Sequence, residues 1–218
     1  MRRTDELIDR LVCDAHPVRP LASPLCRMMF WTAVSLAFAA LVVGIASPRP
    51  DIAEKLAEPR FLIEQGMALL TAVGAAFASF ALVVPGLDSR LAMVALLPGM
   101  AWIGTLGAGC VTDFLRAGSA ALGLTPDPGC ILYIAIIGSL PSIVGVVMLR
   151  RGLTAHPRLT IFLLALAAAA IGNFGLRFFH VRDAGMMVLV WQFGSVLLLS
   201  ALGALAGPRL LARTVAAA

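Results

Sequence analysis

Six stretches of the chain, residues 28–47, 66–85, 91–110, 131–149, 159–176 and 185–207, run without a single Asp, Glu, Lys or Arg. Each is close to the roughly 20 residues that a helix rising about 1.5 Å per residue needs to cross the hydrocarbon core of a bilayer. Apolar residues follow one another without the in-and-out alternation of a membrane barrel, and an unpaired strand cannot lie in lipid because its backbone would lack hydrogen-bond partners. The pattern predicts an all-α integral membrane bundle of six transmembrane helices. Between the spans stand the short turn signals SerProArgPro at 47–50, ProGlyLeuAspSerArg at 85–90, ThrProAspProGly at 125–129, ArgArgGly at 150–152 and GlyProArg at 207–209. None is long enough to hold a soluble domain. The expected organisation is a polar segment at 1–27, a membrane domain at 28–213 and a tail at 214–218.

One short stretch breaks the pattern. In ThrAspGluLeuIleAspArgLeuValCysAspAla at 4–15, Leu7, Ile8, Leu11 and Val12 recur at helical spacing, while Asp5, Glu6, Asp9 and Arg10 occupy the other face. Thr4 is placed to cap such a helix, and the acids suit the positive end of its dipole. A helix this short is marginal alone in water, so its apolar stripe requires a partner surface. Membrane adsorption favours a polar face rich in Lys and Arg, whereas this face mixes acid and base. A protein groove and the protein's own bundle both remain as the surface it meets.

Composition agrees with a membrane protein. Hydrophobic residues make up 60% and charged residues 13%, against roughly 45–50% and about 25% in soluble domains; mean hydropathy is +0.94. The formal charge of +5 does not argue for nucleic acid, because the arginines sit at the edges of apolar runs, where topology and anionic headgroups account for them. Arg2, Arg3, Arg10, Arg19, Arg27, Arg90, Arg150, Arg151, Arg158, Arg209 and Arg213 fall on one side of the six spans. Arg49, Lys55, Arg60, Arg116, Arg177 and Arg182 fall on the other. The richer side is cytoplasmic, so both termini are expected inside and residues 48–65, 111–130 and 177–184 outside. AlaPheAla at 37–39 resembles a signal-cleavage pattern, but the charged region before it is too long and acidic and the apolar run too extended for a cleaved signal.

Catalytic chemistry has little to stand on. Ser139, Ser142, Ser195 and Ser200 have no accompanying His and Asp arrangement, and no glycine-rich phosphate loop follows a strand. The apolar spans hold no ionisable group of the kind that marks an ion or substrate path; Asn173 and Gln192 are their strongest polar residues and are expected to bond between helices. Gly203 and Gly207 suit close helix packing. Pro98 with Gly104, Gly107 and Gly109 forms a broken-helix pattern that keeps a small-solute transporter or channel as the alternative function. Cys13, His16 and Cys26 give only a fragment of zinc spacing, without the fourth ligand a structural site takes. No enzyme and no cofactor are expected.

ArgThrAspGluLeuIleAspArgLeuValCysAspAlaHisProValArg at the start, CysIleLeuTyrIleAlaIleIleGlySerLeuProSer at 130–142, LeuArgArgGly at 149–152, Trp191 in the last span and the closing GlyAlaLeuAlaGlyProArgLeuLeuAlaArg resemble the NrsF family of negative regulators of ECF sigma factors. The resemblance covers nearly the whole chain. It implies a multi-pass anti-sigma factor of the bacterial inner membrane. The partner would be an ECF sigma factor, held by the cytoplasmic N-terminal helix through Thr4, Asp5, Leu7, Ile8, Leu11 and Val12 and released on an oxidant or heavy-metal signal. Partners beyond that protein are membrane lipid, with no direct contact to nucleic acid.

The family is also associated with two outer cysteines that sense such signals. The first falls on Cys130; where the second is expected, near 180, this chain has His180. Three readings follow. Cys130 and His180 are a thiol and an imidazole suited to a borderline metal. Cys110 and Cys130, which bracket one outer loop, are candidates for a disulfide in an oxidising compartment. On the third reading both cysteines are small apolar residues at helix ends and His180 an interfacial loop residue.

Overall fold

The computed structural model describes residues 2–13, 21–84, 86, 89–181 and 184–212, all of them in helices or their connections. The helices are α1 (Arg2–Cys13), α2 (Pro24–Ala46), α3 (Ile52–Ala57), α4 (Pro59–Ala81), α5 (Leu96–Ala117), α6 (Gly129–Leu149), α7 (Pro157–Leu176), α8 (Gly185–Met187) and α9 (Gly194–Leu211). Tighter 3₁₀ turns lead into α5 at Ser89–Ala95 and out of it at Gly118–Leu122, and a π-helical stretch, Val188–Phe193, joins α8 to α9. Six helices are long and apolar enough to cross a membrane: Pro24–Ala46, Pro59–Ala81, Met93–Leu122, Gly129–Leu149, Pro157–Leu176 and Gly185–Leu211. The chain is a multi-pass membrane protein. Proline sets three starts, Pro24, Pro59 and Pro157, where a missing N–H costs nothing because the first turn has no acceptor for it. Before Pro24, the Ser23 hydroxyl accepts the Cys26 N–H at 3.3 Å and caps α2.

The helices outrun the uncharged stretches. The second span begins at Pro59 rather than 66 and the third reaches Leu122 rather than 110, so Arg60, Glu64, Asp113 and Arg116 lie on spanning helices. The uncharged stretches are thus the inner parts of longer helices whose ends carry charge. A charge does not end a helix when it finds a partner one turn away, and Arg60 and Glu64, four residues apart, meet on one face.

Helix α7 is the centre of the bundle. Burial covers 72% of its most apolar stretch, against 17% for α2. Its Ala167, Ala168, Ala169 and Ala170 are all buried, as are Ala68, Ala72, Ala75 and Ala76 of α4. These small side chains let backbones approach closely, the main source of helix association where lipid is as apolar as the core. Gly172 packs on the Ile134 carbonyl of α6, Gly203 of α9 on Ala165, and Gly207 on the Pro157 carbonyl. The expected packing role of Gly203 and Gly207 is thus met within the chain. Outward-facing positions are also apolar, among them Leu41, Ile45, Leu97, Leu115 and Leu205, as required of helices bathed in lipid.

Polar side chains in the spans mostly bond to their own helix. The hydroxyls of Ser35, Thr71, Ser142 and Ser200 donate to carbonyls four residues back at 2.6–2.8 Å, Ser195 does the same to Trp191, and Ser139 donates to Ile136. Across helices, Trp31 donates its indole N–H to the Pro141 carbonyl at 2.8 Å and Ser79 its hydroxyl to the Thr160 carbonyl at 2.9 Å. The side-chain oxygens of Asn173 and Gln192 are buried and have no hydrogen-bond partner among the described residues, so the interhelical bonds expected of them are not seen at those atoms.

Candidate functional site

Helix α1 carries the first set of predicted site residues. Thr4, Glu6, Ile8, Asp9, Val12 and Cys13 are all exposed, with Ile8 at 52% and Val12 at 67%. Ile8 and Val12 are one turn apart and so share a face. Asp5, Leu7 and Leu11 lie on the same helix, but their side chains fall outside the described residues. Of the incomplete metal fragment, Cys13 and Cys26 are exposed thiols and His16 lies outside the described residues.

The second set gathers at one end of the bundle, where the connections before α6 and after α7 meet the connection that leaves α2. Arg49 organises this end. Its backbone N–H donates to the Phe178 carbonyl at 2.9 Å and its guanidinium to the His180 carbonyl at 3.1 Å, while two further N–H groups grip Asp51 at 2.6 and 2.7 Å. Arg49 is buried although it is a loop residue. Its charge is compensated by Asp51, whose carboxyl it holds below the ordinary value by direct hydrogen bonding. The consequence is a fixed path for residues 178–180, which aims the His180 ring at α6.

There the ring meets two side chains. His180 Nε2 lies 2.8 Å from Asp127 Oδ2 and 3.8 Å from Cys130 Sγ. Asp127 and Cys130 are three residues apart at the start of α6, the Cys130 N–H donating to the Asp127 carbonyl at 3.2 Å, and this spacing brings both side chains to one side of the first turn. Gly129 between them leaves room for the carboxylate: a Cβ there would come 3.3 Å from Asp127 Oδ1. Asp127 and Cys130 are buried and His180 nearly so. Next to these residues in the chain, Tyr133 and Phe179 meet edge to face, ring centres 5.3 Å apart. The structure places Cys130 and His180 side by side and adds Asp127 to them. That residue was passed over as part of a turn; its position three before the cysteine was the available signal.

Cys110, the third predicted sensor residue, has different neighbours. It stands on α5 near Gly185, Arg60 and Asp113, and its thiol is not in a disulfide. Around it lies a charge network that the sequence reading missed. Arg60 binds Glu64 at 2.9 Å and Asp113 at 2.8 Å; Glu64, buried, is also bound by Arg177 of the α7 end; and Asp113 accepts the Gly185 N–H at 2.9 Å. The network ties α4, α5, α7 and α8 to one another. The guanidinium of Arg60 lies over Gly109, where a Cβ would meet it at 2.3 Å.

At the opposite end, Arg27 of α2 is buried, donates to the Met148 carbonyl of α6 and lies 4.7 Å over the Phe80 ring. Arg150 donates to the Leu210 carbonyl at 2.8 Å, and the Leu153 N–H to the Val83 carbonyl at 3.3 Å. These contacts join α2, α4, α6 and α9 where the chain enters from α1.

No curated protein and no solved structure matches the chain. A family model does. It is that of NrsF, described as negative regulator of sigma F, and it matches residues 11–212. The match takes in the whole membrane bundle and the Asp127, Cys130 and His180 cluster, and only the last residues of α1. The chain belongs to the NrsF family, the negative regulators of sigma F.

Proposed function

We propose that this protein is a membrane-bound anti-sigma factor that holds an ECF sigma factor through α1 and releases it on an oxidant or heavy-metal signal at the envelope. Membership of a family of sigma-factor regulators supports the outline. The single observation that carries the finer reading is the presentation of α1: every one of its described side chains is exposed, Ile8 and Val12 among them. Apolar side chains on one helix face, left uncovered by the described residues, are the kind of surface that seats in a partner's groove. With the arginine-rich ends of the spans in the cytoplasm, α1 lies in the same compartment as a sigma factor.

Signal transfer then requires two states of the bundle that the signal tells apart. The input falls to the Cys130 and His180 end, and Cys110 stands near it on the Arg60 network. The transporter alternative draws no comparable support: Arg60, Glu64, Asp113 and Arg177 are engaged with one another, as in a structural network. The test is deletion of residues 1–20 followed by copurification with a co-expressed sigma factor. Loss of association is expected, together with loss in the full-length Ile8→Glu/Val12→Glu variant. Retained association in both removes α1 from the model.

A further inference from the structure

We infer that Asp127, Cys130 and His180 form a binding site for a borderline divalent metal ion, of which zinc is the type, at the mouth of the α6–α7 pair. The ligand atoms of the three side chains all lie within 4.8 Å of one another. Tetrahedral zinc with bonds of about 2.0 Å to nitrogen and oxygen and about 2.3 Å to sulfur separates a nitrogen and a sulfur ligand by about 3.5 Å and a nitrogen and an oxygen ligand by about 3.3 Å. The observed separations are 3.8 Å for His180 Nε2 and Cys130 Sγ and 2.8 Å for His180 Nε2 and Asp127 Oδ2. An entering ion therefore opens the second by about half an ångström and draws the first slightly in.

Charge and burial point the same way. A deprotonated thiol and a carboxylate offer two negative charges and the neutral imidazole none, which balances a dication in a buried place where an unbalanced charge is costly. Arg49, beside the cluster, is itself held by Asp51. Its hydrogen bond to the His180 carbonyl fixes the backbone from which the ring reaches, the service that outer residues perform for metal ligands. A mixed nitrogen, sulfur and oxygen set suits zinc and its neighbours better than calcium or magnesium, which take oxygen alone. Three protein ligands leave a fourth position to water, the arrangement of exchangeable rather than closed structural sites. Binding releases the thiol proton, so occupancy falls with acid.

The inference deepens the signal side of the proposed function and rests on that reading only for its biological meaning; no sigma factor enters its test. The full-length chain carrying Cys13→Ser, Cys26→Ser and Cys110→Ser, purified in detergent, retains Cys130 as its one thiol. Titrated with Co(II), it is expected to bind one ion per chain with the absorption of a cobalt–thiolate bond, and to lose that absorption when Zn(II) is added. His180→Ala and Asp127→Asn in the same background should each weaken binding at least about tenfold, in keeping with the sensitivity of such sites to their ligands and supports. His180→Cys should keep it, as a thiolate replaces the imidazole. Absence of cobalt–thiolate absorption in the Cys130-only chain overturns the site even if every substituted variant misfolds. Undiminished binding in a chain with Asp127→Asn, Cys130→Ser and His180→Ala together overturns it as well.

Discussion

Glu64 shows how one side chain carries more than its local sequence announces. It is buried to 1% exposure and faces Arg60 at 36% and Arg177 at 5%. Removing one member of a buried pair is far costlier than removing both, because the partner's charge stays behind. Glu64→Gln leaves two guanidiniums facing a neutral amide, and a loss of about 3–5 kcal/mol is expected, read as a fall in thermal stability in detergent. Glu64→Leu/Arg177→Met should recover much of it. A single substitution as mild as a surface change, or a double one no better than the single, refutes this account. In sequence, Arg60 and Glu64 looked like loop residues because they precede the uncharged stretch, and Asp113 and Arg177 lie far away in the chain. Only the fold brings them together. Asp127 was hidden for a different reason: between two prolines it has the composition of a turn, and the ligand reading needs His180, 53 positions on.

At the scale of elements, legibility followed the physics of lipid. Backbone must be satisfied within each span, so uninterrupted apolar runs gave all six helices, and the helix ends ran on past them into charged residues. Close approach was less visible, since glycine serves both packing and flexibility. Gly172 and Gly104 separate the two. A Cβ on Gly172 would sit 2.5 Å from the Ile134 carbonyl oxygen, so Gly172→Ala must push α6 from α7 and is expected to cost about 1–3 kcal/mol. Gly104 has nothing within 4 Å of such a Cβ, and Gly104→Ala is expected to be neutral or stabilising by up to about 1 kcal/mol through helix propensity. Parallel melting curves of the two variants check the opposite signs. The loop clamp makes a pH prediction. Arg49 lowers the Asp51 pKa from its ordinary 3.8; a lowered carboxyl pKa adds stability that is complete above the ordinary value and lost as pH falls through the folded one. The clamp thus weakens only in acid below about 4. The wild-type protein should lose thermal stability there more steeply than Asp51→Asn, and parallel acid limbs for the two count against the clamp.

The whole molecule must have a direction, and the proposed function depends on it: α1 works only in the cytoplasm, and a metal or oxidant from outside reaches His180 only if that end faces outward. The argument for direction is charge. Eleven arginines flank the Arg150 end and its termini, six basic residues the His180 end, and basic residues near span ends are retained on the cytoplasmic side. Of those six, Arg49, Lys55, Arg60 and Arg177 are bound to acids on the protein, whereas Arg27 and Arg150 donate to backbone carbonyls. Two exposed leucines at opposite ends of α6 make the test direct. Leu124 precedes the helix at 48% exposure and Leu153 follows it at 67%, so neither needs burial to be disturbed. In a chain whose own cysteines are serines, Leu124→Cys should react with a membrane-impermeant thiol reagent on intact spheroplasts and Leu153→Cys only after the membrane is opened. The reverse pattern would place α1 outside, away from any sigma factor, and would end the proposed function, while the metal site keeps its own cobalt titration; labelling as expected leaves each to its own experiment.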